Sequence, residues 1–154
     1  MTANLPDGWE QEFDAVYGNK LKRIFAKNGV EPHFEAQDAE ERLARHLKTI
    51  AMEFFQLGAF THGQDRQKLR LARKTGGDPV AEHKLALAEG QVLGRSTMDE
   101  SLEKLTPLLQ EHEIPTEMRV AVQELHRQAA GDYFSRGVRT SARTLANKQR
   151  RQLP

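Results

Sequence analysis

Six histidines, His33, His46, His62, His83, His112 and His126, are the residues of this 154-residue chain best suited to chemistry near neutral pH. They could serve as metal ligands or as general acids and bases, but their spacing favours neither use. None follows a glutamate by three residues, as the inward-facing ligands of a di-iron helix bundle do, and no His-Glu-x-x-His is present. The chain has no cysteine, which removes disulfides, thiolate metal sites and cysteine nucleophiles together. A scattered histidine in a helical protein is ordinarily a partly exposed helix residue, so no metal and no cofactor is expected. Carboxylate pairs such as Glu40 with Glu41, or Glu111 with Glu113, could perform acid-base chemistry only in a pocket that shifts their pKa values. On polar helices they read as solvated charges. "GRST" at 94–97 lacks the lysine and the glycine spacing of a phosphate-binding loop, and there is no Gly-x-Ser-x-Gly elbow. No catalytic residue is assigned, and an enzyme is the class with least support.

Charge is segregated although the formal net charge is only +1. Arg66, Lys68, Arg70, Arg73 and Lys74 form one run without an acid. Arg136, Arg139, Arg143, Lys148, Arg150 and Arg151 form a second. Acids gather in two other blocks, Glu31, Glu35, Asp38, Glu40 and Glu41, and Asp99, Glu100, Glu103, Glu111, Glu113 and Glu117. Three readings compete. The charges can complement helix dipoles and need no partner. Acidic and basic patches can meet between copies of the chain or on a protein partner. The basic runs can neutralise a phosphate backbone, releasing counterions. "AAGDYFSRGVRTSARTLA" at 129–146 resembles the first helix and turn of a helix-turn-helix repressor. It departs from that pattern in the spacing from Gly137 to Leu145, one residue short, and "NKQRRQLP" is too short to supply a recognition helix.

The elements that would carry these residues read as helices throughout; no alternating run is long enough to propose a sheet. The first is expected from Trp9 to Asn28, capped by Asp7, with Trp9, Phe13, Tyr17, Leu21 and Ile24 on one face. A linker "VEPHFEAQ" follows at 30–37. A second helix is expected to start near Asp38, to carry Leu43, Leu47, Ile50 and Phe54, and to bend at Gly58 or Gly63. Gly76, Gly77, Asp78 and Pro79 mark the clearest boundary, with Asp78 as cap and Pro79 as first helical residue. A third helix to about Leu93, a fourth capped by Thr97, a break or kink at Pro107 and a long helix after "IPTE" at 114–117 complete the set. The fold class is therefore all-α, a compact bundle of five or six helices in one domain over 1–154. A hinge is expected at 75–79 and a basic tail at about 143–154.

One frame is written twice. "EFFQLGAFT" (53–61) and "DYFSRGVRT" (132–140) share an acid, two aromatics, a glycine and a threonine at equal spacing, each followed by one of the basic runs. The pattern admits two similar helical halves. Phe54, Phe55, Tyr133 and Phe134 are expected in a core or an interface. Gly58 and Gly137 are expected where a helix breaks or where a neighbour comes close.

With 38% hydrophobic and 29% charged residues, and apolar runs no longer than a few residues, no membrane segment is expected. Acids in residues 1–30 stand where a signal peptide has a basic and then an apolar segment, so the expected location is the cytoplasm, or an assembly packaged from it. The expected function is assembly: an adaptor or structural component acting through self-association, as a homo-oligomer, or through a protein partner. The alternative is sequence-independent nucleic-acid binding by 66–74 and 136–151.

Overall fold

The computed structural model describes residues 4–28 and 34–152, with side chains from residue 37 in the second stretch. His33 and Glu31, the side chain of Glu35 and much of the expected linker lie outside the described residues. Within them the chain is all-helical and has four helices rather than five or six.

Helix α1 comprises an α-helical turn Trp9–Phe13, a π-helical segment Asp14–Gly18 and a second α-helical stretch Asn19–Lys27. Its inward residues, Phe13, Tyr17, Leu21 and Phe25, recur every four residues. Steps of four overrun a 3.6-residue turn by about 40° each. The wider π turn takes up that excess and holds the four rings and chains on one side. Phe25 is therefore buried and Ile24 only partly so. Asp7 does not cap this helix. Gly8 does, at φ 82°, without a side-chain hydrogen bond.

Helix α2 runs unbroken from Phe34 to Thr75. Neither Gly58 nor Gly63 bends it out of helical geometry, and Asp38 pairs with Arg42 one turn on (3.5 Å). Gly76, at φ +73°, terminates it, with the Gly77 N–H bonded to the Ala72 carbonyl (2.8 Å). Asp78 then accepts from the Val80 N–H (3.0 Å) and Pro79 opens helix α3, Pro79–Glu111.

α3 replaces the two or three short helices expected between 79 and 111. Thr97 and Thr106 do not cap new helices. Their hydroxyls donate to the Leu93 and Leu102 carbonyls one turn back (2.7 and 3.1 Å), so both sit comfortably inside a continuing helix. Pro107 is exposed near the end of α3, where water can reach the carbonyl its ring leaves unpaired. After a turn through Glu113 (φ 51°), helix α4 extends from Thr116 to Gln152. It is continuous through Gly137, so the turn suggested at 129–146 is absent and the basic tail is helical as far as Gln152.

α2 and α3 form an antiparallel hairpin, joined by Arg42 to Glu111 at one end and by Lys68 to Glu89 near the other. α4 returns parallel to α2: His46 stacks on His126 (5.2 Å) and, further along both helices, His62 meets Ser141 (2.9 Å). α1 lies against α4 and α2 through Tyr17 to Asp132, Arg136 to Glu12 and Lys48 to Asp14. The main core draws on all four helices, with Phe13, Leu21, Leu47, Phe55, Leu105, Val122 and Tyr133 among its members. A smaller cluster of Ile50, Phe54 and Ala130 is covered by Leu57, Met98 and Phe134.

Candidate interaction surface

The repeated frame is the place where α2 and α4 cross. A Cβ on Gly58 would lie 2.1 Å from the Phe134 carbonyl oxygen, and one on Gly137 would lie 2.0 Å from the Phe55 carbonyl oxygen. Each copy of the frame thus lays its glycine on the backbone of the other, and the contact between His62 and Ser141 keeps the same offset of 79 residues. Phe55 and Tyr133 fill the main core, Phe54 the smaller cluster, and Phe134 is half-buried beside it. Close backbone approach is what a helical glycine uniquely permits.

Beyond this crossing the bundle opens. α3 keeps to α2, where Gly90 admits the Thr61 methyl and His83 Nδ1 meets Asp65 (2.8 Å). Between α3 and α4 runs an apolar groove of about 690 Å³, lined by Phe54, Leu87, Gly94, Met98, Gly131, Phe134 and Val138. Arg95 stands on its wall without an ion-pair partner among the described residues, and its carboxylate, Asp65, is occupied by His83. Gly94 and Gly131 border the groove, and among the described residues nothing lies within 4 Å of the position a Cβ would take on either. The first half of α3 is apolar on several sides: Val80, Leu85, Leu87, Val92 and Leu93 are each 41–65% exposed. A helix apolar around its circumference normally lies buried.

The two basic runs come to the same end of the molecule because α2 and α4 are parallel. Arg66, Arg70, Arg73 and Lys74 on α2, and Arg139, Arg143, Lys148, Arg150 and Arg151 on α4, are all exposed and form no ion pair among the described residues. Lys68 and Arg136 are committed elsewhere. Lys68 holds Glu89, and Arg136 bridges Asp132 and Glu12 (3.2 and 3.3 Å) while covering the Tyr133 ring.

One polar cluster was not foreseen. His126 is fully buried rather than partly exposed, its Nε2 2.8 Å from Ser101 Oγ and its ring stacked on His46. Burial, with the neighbouring His46 and Arg127 adding to it, lowers its pKa to about 4, and burial lowers that of His46 as well. The signal was available in the spacing, since His126 stands four residues after Val122 and seven before Tyr133, on the buried stripe of α4. The pair does not make a nucleophile. Ser101 donates its proton to the Met98 carbonyl (2.8 Å), so the imidazole donates to Oγ, and both residues are shut away from solvent. Among the described residues no group of three or more histidine or acidic side chains is arranged to hold a metal, and no helix is long and apolar enough to cross a membrane.

Comparison with protein families, with curated proteins and with solved structures finds no match to this chain.

Proposed function

We propose that the protein is a non-enzymatic helical interaction protein, an adaptor or structural component that assembles through the open half of its bundle. The observation that carries this reading is the apolar groove between α3 and α4, with exposed Leu87 at its edge and glycines at Gly94 and Gly131 that no contact among the described residues requires. A glycine inside a helix costs about 1 kcal/mol relative to alanine. At Gly58 and Gly137 the close approach of another helix offsets that cost, and a docked helix would do the same at the groove. Leu87→Glu should abolish the association that runs through the groove, read by affinity capture and by light scattering at low and high salt, without lowering the melting temperature. A wild type that stays a monodisperse monomer in both salts and captures no partner would overturn the reading.

A second reading is favoured by one observation, the arrival of both basic runs at one end. Such a surface suits a phosphate backbone, bound without regard to sequence. Replacing Arg143, Arg150 and Arg151 by glutamine should then weaken binding to all nucleic-acid sequences alike and flatten the salt dependence. Absence of any gel shift at low salt would remove it.

A further inference from the structure

We propose that the outer face of the first half of α3 pairs with the same face of a second copy of this chain, the two helices lying parallel and in register. The inference rests on the assembly reading but uses a different face from the groove. On α3, Ala86 and Gly90 face α2, as does His83 through its bond to Asp65. The side turned away carries Ala81, Leu85, Ala88 and Val92, at spacings of four, three and four residues. All four are exposed, Leu85 at 51% and Val92 at 65%, and a shallow depression runs beside Ala88 and Val92. This is the alternation of a coiled-coil seam over two heptads, written where none of the described residues covers it.

The flanks of the seam select both partner and direction. Lys84 lies on one flank and Glu89 on the other. In a parallel, in-register pair the residue preceding one seam position faces the residue five further along the other helix, so each Lys84 meets the partner's Glu89, twice by symmetry. Lys84 has no ion pair among the described residues. Glu89 gives Oε2 to Lys68 and keeps Oε1. An antiparallel pair would instead set the Lys84 flank against itself. Arg95 and Asp99 take the next two seam positions, where each would face the same charge on the other copy, so the pairing ends at Val92 and the helices diverge beyond it. Two heptads with alanine at alternate positions bury less than the roughly 1,200 Å² of a stable interface, so the pairing should be reversible and concentration-dependent.

Sedimentation equilibrium of the full chain over a concentration series should show a monomer–dimer equilibrium. Val92→Glu should lose the dimer with an unchanged melting temperature. Lys84→Glu should weaken it, and adding Glu89→Lys should restore it. Because the chain has no cysteine, Leu85→Cys and Val92→Cys can be tested singly. Every seam residue of a parallel, in-register pair faces its own copy, so both variants should oxidise to covalent dimers, whereas an antiparallel pair allows at most one. A wild type that remains monomeric at every concentration, a cross-link at only one of the two positions, or a charge reversal that fails to rescue would each overturn the proposal. Association that Leu87→Glu removes and Val92→Glu leaves intact would sink this pairing while the groove reading stands; the converse result would do the opposite.

Discussion

The Tyr133 hydroxyl is buried without a hydrogen-bond partner among the described residues, while its ring touches Trp9, Phe13 and Tyr17 at centroid distances of 5.8–6.3 Å. Burial raises its pKa, so the group stays protonated with a donor that no described residue accepts. An unsatisfied buried polar group costs about 1–3 kcal/mol. Tyr133→Phe keeps the ring, its aromatic neighbours and the Arg136 guanidinium above it, and should raise the melting temperature; a fall would show that the hydroxyl is bonded in solution. His126 makes the matching prediction for acid. Its folded pKa, about 4, lies below the unfolded value near 6.5, so below that value the unfolded chain binds more protons than the folded one. Stability should be full above pH 6.5 and decline as pH falls towards 4, by on the order of 3 kcal/mol from this group, with His46 acting in the same sense. Denaturant unfolding between pH 5 and 7 should show the slope, and His126→Leu should reduce it. Neither fact was legible residue by residue. A histidine or tyrosine on an apolar stripe announces burial, but whether a partner meets its polar atom depends on the side chains that the other helices bring.

At the crossing of α2 and α4, glycine is required by a neighbour's backbone, which cannot move aside as a flexible side chain could. Gly58→Ala and Gly137→Ala should each destabilise by about 1–3 kcal/mol or more, since overpacking a fixed contact forces the helices apart. Gly63 provides the control: none of the described residues lies within 4 Å of its missing Cβ, and Gly63→Ala should stabilise by up to about 1 kcal/mol. Equal responses at Gly58 and Gly63 in thermal unfolding would dismiss the crossing as the reason for the frame. Helical class, the Gly76 to Pro79 boundary with its Asp78 cap and most of the apolar stripes could be read from local pattern. Helix number could not. A threonine followed three residues later by an acid has the spacing of a cap, yet Thr97 satisfies its hydroxyl on its own helix, and only the uninterrupted packing of α3 on α2 decides between the two outcomes. The parallel course of α2 and α4 was equally hidden, and with it the meeting of the basic runs, because it depends on which helix the chain returns along.

Connectivity gives the molecule an interlocked character. α3 packs chiefly on α2, α1 reaches across to Asp132 and Arg136 of α4, and the two frames meet at the centre, so each half of the chain completes the other. Fragments 1–77 and 78–154, made separately, should be largely unfolded alone and should recover helical circular dichroism and a cooperative melt when mixed. Independent folding of either fragment would show that the interlock is dispensable. The crossing also sets an order in time. Gly58 seats on the Phe134 carbonyl, which is polymerised only after α3 and most of the α4 stripe have been made. A nascent chain emerging from the ribosome therefore carries Phe55 and Leu47 without their α4 cover until the stretch from Val122 to Tyr133 has been made, an interval in which the first half exposes apolar surface that favours aggregation.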